Sequence, residues 1–163
     1  MAADTPQGPL NHSEQSLAMA VGAAMHARDG ASQSLGMTLV SIAPGHARMT
    51  MTVRADMLNG HRTCHGGFLF AFADSTFAFA CNSRNENTVA AGCSIDYLAP
   101  GFEGDVLTAE AVEQSLGGRL GLYDVTVSNA EGSRLALFRG KSYRIKGEVI
   151  NESLDPALSN STS

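Results

Sequence analysis

Residues 67–82 read GFLFAFADSTFAFACN, from Gly67 to Asn82. The stretch is too long for one strand, rich in alanine and apolar almost all the way round, which predicts a helix buried on most sides. Sequence on either side has a different period. From Leu35 to Val53 apolar residues alternate (Leu35, Met37, Leu39, then Ala47, Met49, Met51, Val53) around Pro44-Gly45, which reads as a hairpin. Residues 88–98, 105–115, 120–128 and 134–145 read as further extended segments, broken at Pro100-Gly101, Gly117-Gly118 and Glu131-Gly132. The expected architecture is α+β, an antiparallel sheet of about six strands wrapped around one central helix. An additional N-terminal helix is expected, capped by Ser13 or Ser16, with Leu17, Ala20, Val21, Ala24 and Met25 at helical spacing and Gly30 as its stop. Residues 1–14 and 148–163, rich in Ser, Asn, Pro and Ala, are expected to be flexible tails around a domain at 15–147.

A chain of 163 residues suits one domain. It has no apolar run of 18 residues that could span a bilayer, so no membrane partner is expected. Residues 1–9 lack a basic, then apolar, leader, and the expected location is cytoplasmic. A formal charge of −5 argues against a nucleic-acid surface, which needs clustered Lys and Arg. Cys64, Cys81 and Cys93 form no CxxC pair and are odd in number, as reduced core thiols would be, and no metal site is expected. A nucleophilic Cys64 beside His65 is the alternative, disfavoured because adjacent residues rarely face one another.

Asp74 is the only charged residue between Gly66 and Ser83. A carboxylate in an oily helix must be paired, protonated or functional, unless it lies on an exposed strip or meets a buried Arg. Gly66-Gly67 stands at the helix start, where free backbone N–H groups and the positive end of the helix dipole can hold an oxyanion, and where a substrate carbonyl can approach closely; a tight turn is the other use of such a pair. Eight residues separate Gly66 from Asp74, roughly 12 Å along a helix axis, too far to act on one carbonyl carbon. Two antiparallel helices about a two-fold axis would bring each Asp74 beside the other chain's Gly66, so a homodimer is expected. In the last extended segment, alternation puts Arg139 and Lys141 on one face, where two cations could meet phosphates or simply be solvated.

The stretch Asn59-Gly60-His61-Arg62-Thr63-Cys64-His65-Gly66-Gly67, followed by Phe72-Ala73-Asp74 and Cys81-Asn82-Ser83, resembles the PaaI-type phenylacetic acid degradation thioesterases. Residues 94–105 and 136–144 carry the same likeness, which spans most of 16–147. The resemblance implies a hotdog fold, a homotetramer built as a dimer of dimers, and hydrolysis of phenylacetyl-CoA or its ring-hydroxylated forms in phenylacetate degradation. It implies no cofactor, because coenzyme A is part of the acyl-CoA substrate. By position, Asp74 matches the catalytic carboxylate, Gly66 the amide that polarises the thioester carbonyl, and Asn59 and His65 the polar residues that order the site. Some relatives place a hydroxyl residue after the helix to help hold water. Here Ala90 and Ala91 stand there, and Ser75 is the substitute, or else plain helix surface. Phe68, Phe70, Phe72, Phe77 and Phe79 either line an aromatic pocket or form core. A hotdog acyl-CoA hydratase or dehydratase, or a non-catalytic acyl-CoA-binding protein, are the rival readings, since fold alone does not decide among them.

Overall fold

The computed structural model describes residues 12–151, and the rest of both predicted tails lies outside them. In chain order the elements are α1 (His12–Arg28), α2 (Gly30–Ser34), β1 (Thr38–Ala43), β2 (His46–Thr52), a 3-10 turn (Ala55–Met57), α3 (Gly66–Asn82), β3 (Thr88–Tyr97), β4 (Val106–Gly117), β5 (Leu120–Ser128) and β6 (Arg134–Arg144). The strands form one sheet in the order β1-β2-β4-β5-β6-β3, every neighbouring pair antiparallel. Helix α3 packs against all six strands on one face of the sheet, the wrapped-helix arrangement expected from its apolar sequence and the hotdog fold that the resemblance implies.

Alternation explains why the sheet has one oily face. Met49 and Met51 of β2, Leu107 of β4, and Tyr123, Val125 and Val127 of β5 are buried, and α3 answers with Leu69, Phe72, Phe77 and Phe79. Small residues sit where the helix is bulky: a Cβ on Gly140 of β6 would stand 2.8 Å from three ring carbons of Phe77. That ring is boxed in by Tyr123 and Phe138, with centroids 5.5 and 5.9 Å away, so it has nowhere to retreat. Gly140→Ala is therefore expected to lower stability by about 1–3 kcal/mol through overpacking. Urea unfolding should show an earlier midpoint at unchanged slope.

The N-terminal helix differs from expectation. It begins at His12, so Ser13 and Ser16 lie inside it, and the Ser16 hydroxyl donates to the His12 carbonyl at 2.9 Å. Val21 is fully buried and Met25 packs against the core as expected, but the other fully buried residues are Ala18 and Gly22 rather than Leu17, Ala20 and Ala24. The contact is set by Gly22, where a Cβ would meet Leu39 Cδ2 at 2.8 Å. Gly30 does not stop α1; it opens α2, whose N-cap is Asp29, with Oδ1 accepting from Ser32 N–H at 3.0 Å. At the other end the packed body continues past residue 147. Ile150 N–H donates to Asn85 Oδ1 and Asn85 Nδ2 donates to the Ile150 carbonyl, both at 2.9 Å, while Arg28 Nη2 donates to the Val149 carbonyl at 3.0 Å.

Candidate active site

The entrance to α3 is held from several sides. Cys64 N–H donates to the Gly101 carbonyl and His65 N–H to the Met57 carbonyl, both at 2.8 Å. Asn59 organises the preceding loop: its Oδ1 accepts from His61 N–H at 2.9 Å, Thr63 N–H at 3.2 Å and the Thr63 hydroxyl at 3.3 Å. Its Nδ2 meets no acceptor among the described residues.

His65 is the N-cap of α3, and its Nδ1 accepts from Gly67 N–H at 2.9 Å. An accepting Nδ1 carries no proton, so the neutral ring bears its hydrogen on Nε2 and presents a donor outward. The cap occupies the Gly67 amide. The Gly66 N–H, one residue earlier, makes no hydrogen bond among the described residues. On the carbonyl side, the Tyr97 hydroxyl donates to Gly66 O at 2.9 Å, and the tyrosine ring lies against the glycine, where a Cβ would come within 3.0 Å of Cζ.

Asp74 lies two turns further along, half-buried, without an ion-pair partner among the described residues. Among the described residues no Arg pairs with it. Burial holds its carboxyl above the usual carboxylate range, partly opposed by the hydrogen bond from Cys93 Sγ to Oδ1 at 3.7 Å. Gly67, Ala71, Asp74, Ser75 and Ala78 recur at helical spacing and form the one stripe of α3 that the chain's own sheet leaves incompletely covered. Beside that stripe runs β3, an edge strand whose residues 89–92 are all exposed.

Ser75 is next to Asp74 but its side chain makes no hydrogen bond among the described residues; the group touching the carboxylate is Cys93, from the set of cysteines expected to be plain core. Cys64 and Cys81 are buried, and burial pushes their thiols up to about 11 and about 12, which removes Cys64 as a nucleophile at neutral pH. Arg139 and Lys141 do share a face, but it is the face turned away from α3, because Phe138 and Gly140 point at Phe77. Arg139 is held in a two-pronged ion pair by Asp124, at 2.7 and 2.8 Å. Within one chain the sheet separates both cations from Asp74. Phe72, Phe77 and Phe79 are core, whereas Phe68 and Phe70 stay partly exposed. Among the described residues no cluster of His, Cys, Asp and Glu could hold a metal, and no helix is long and apolar enough to cross a membrane.

Residues 61–136 match the family model described as Thioesterase superfamily. The acyl-coenzyme A thioesterase PaaI of Escherichia coli (strain K12) is 49% identical over 129 residues, covering 79% of this chain and 92% of that protein. The solved structure of the E. coli PaaI protein from the phenylacetic acid degradation operon superposes with a TM-score of 0.79 at 46% identity, covering 86% of this chain and 99% of that one. A Streptococcus mutans protein solved with acetyl CoA bound superposes at 0.66 with 28% identity, over 69% of this chain and 90% of that one.

Proposed function

This chain belongs to the PaaI-type acyl-CoA thioesterases of the thioesterase superfamily, and we propose that it hydrolyses phenylacetyl-CoA or a ring-hydroxylated phenylacetyl-CoA to the free acid and coenzyme A. The observation that carries the reading is the half-buried Asp74, with no ion pair among the described residues, on the uncovered stripe of the same helix whose first amide, Gly66 N–H, meets no acceptor among them. Thioester hydrolysis needs those two things, a base or nucleophile and a donor for the charge that develops on the carbonyl oxygen.

In this reading the thioester carbonyl oxygen accepts from Gly66 N–H. Either Asp74 takes a proton from water as the water oxygen bonds to the carbonyl carbon, after which the carbon–sulfur bond breaks and that proton passes to the leaving sulfur, or Asp74 attacks the carbon itself, expelling the coenzyme A thiolate as the mixed anhydride forms, and water then opens the anhydride to release the acid and regenerate the carboxylate. In both routes coenzyme A leaves as its thiol, in the second by taking the proton that water gives up. Cys93 occupies Oδ1 of Asp74, leaving Oδ2 to face the reactant. Asn59 and His65 shape the approach, with the His65 Nε2–H as a donor rather than a base.

Gly66 and Asp74 of one helix are too far apart for one carbon, so the working site pairs one chain's Asp74 with its partner's Gly66. The uncovered stripe of α3 and the open edge at β3 support such a homodimer, which we place within a dimer of dimers. No resident cofactor takes part. The partly exposed Phe68 and Phe70 near the helix entrance favour an aromatic acyl group.

Thiol release from a panel of phenylacetyl-, hydroxyphenylacetyl-, benzoyl- and short-chain acyl-CoA thioesters tests the proposal, with the aromatic acetyl thioesters expected to give the highest kcat/KM. Activity should fall on the acid side as Asp74 is protonated. Because its carboxyl is held above the usual range, that limb should lie above about pH 4. Hydration of an enoyl-CoA without thiol release, or saturable binding with no turnover, would instead support a hydratase or a binding protein.

A further inference from the structure

Two residues of β3 touch α3 at the two places the reaction needs. Cys93 and Tyr97 are four residues apart on one face of the strand, roughly 13 Å at the rise of an extended chain. Asp74 and Gly66 are roughly 12 Å apart along the helix. The spacings match, so one strand face reaches both: Cys93 Sγ to Asp74 Oδ1 at 3.7 Å and Tyr97 OH to Gly66 O at 2.9 Å.

We propose that Cys93 and Tyr97 are positioning residues, through which β3 fixes the Asp74 carboxylate at one end of α3 and the Gly66 amide donor at the other. This rests on the thioesterase reading of Asp74 and Gly66. Residue 66 is pinned on both sides, by His65 N–H on the Met57 carbonyl and by Tyr97 OH on its own carbonyl, so its N–H direction is set before a substrate arrives. The thiol does for Asp74 what Ser75 does not: it engages one oxygen and so selects the rotamer that presents the other. Burial beside Asp74 pushes the Cys93 thiol up to about 11, so it stays a donor at neutral pH. The titratable groups that sense Asp74 are Cys93 from β3 and Cys81 from α3 itself; among the described residues no Lys, Arg or His interacts with it.

The test measures kcat and KM for thiol release against pH in wild type, Asp74→Asn, Cys93→Ser, Cys93→Val and Tyr97→Phe. A hydroxyl donates more strongly than a thiol, and valine fills the same space without donating. The acid limb should therefore lie lowest for Cys93→Ser and highest for Cys93→Val, each displaced from wild type by about half a pH unit. Tyr97→Phe keeps the ring against Gly66 and loses only the hydroxyl; kcat should fall about fivefold with KM nearly constant. A merely structural cysteine or tyrosine would alter Tm without ordering the acid limbs or splitting kcat from KM. Coincident limbs for the serine and valine variants overturn the Cys93 assignment, and an unchanged kcat in Tyr97→Phe overturns that of Tyr97. Wild type that releases no thiol, or Asp74→Asn that keeps turnover, sinks the underlying thioesterase site instead.

Discussion

Asp74→Asn is expected to lower kcat for thiol release by about 10²- to 10⁴-fold, the range typical of losing a positioned base, while acyl-CoA still binds. Asparagine keeps the shape of aspartate and an oxygen for the Cys93 thiol, so the loss isolates the carboxylate's chemistry. The same variant should not be less stable. The folded state holds the Asp74 carboxyl above its usual range through burial, so ionisation there opposes folding, unlike that of a salt-bridged acid. The opposition is absent below the unfolded value of about 3.9 and grows as pH rises through the folded one. Asn carries no charge at any pH, so the variant's Tm should equal or exceed that of wild type at pH 7, and the gap should close at low pH. A protein that is inactive yet as stable as its parent is what a functional, rather than structural, buried acid leaves behind. A near-normal kcat in this variant would remove Asp74 from the mechanism.

Periodicity carried most of the fold because each strand segment has one oily face and one wet one, and because the apolar run 67–82 fits no strand. It failed where a small residue sets the contact. α1 packs through Gly22, which a hydrophobic pattern does not weight, and the Asp29 cap of α2 is masked by Gly30 beside it, which composition reads as a helix stop. Asp74 was legible as the one charge in an apolar helix. Cys93 was not, and β3 explains why. Ser142 and Gly140, both facing α3, pair with Ala90 and Cys93, three residues apart, so the bulge between Ala90 and Gly92 turns Cys93 toward the helix. Uninterrupted alternation from Ala90 would have placed Gly92 and Ser94 there. Arg139 and Lys141 show the converse: their shared face followed from parity, but the identity of that face depended on the fit of Gly140 beneath Phe77.

Mixing Asp74→Asn with Gly66→Val is expected to restore activity that neither variant has alone. The backbone at residue 66 is not in the left-handed region, so it accepts a side chain; what the side chain meets is the Tyr97 ring and the space in front of the amide. If each site takes Asp74 from one chain and Gly66 from the other, a mixed dimer has one site with both groups intact and one with both damaged. Random exchange at equal concentrations makes half the dimers mixed and leaves about a quarter of all sites working, so activity should recover to about 25% of wild type. A site built within a single chain predicts no recovery at any mixing ratio. Mass spectrometry of isotopically labelled chains establishes that subunits have exchanged, and inactivity despite exchange would end the shared-site arrangement while leaving the Asp74 requirement untouched. The outcome turns on one length: eight helical residues put the carboxylate roughly 12 Å from the amide of its own chain, a gap that a partner's helix must close for either group to act on the other's substrate.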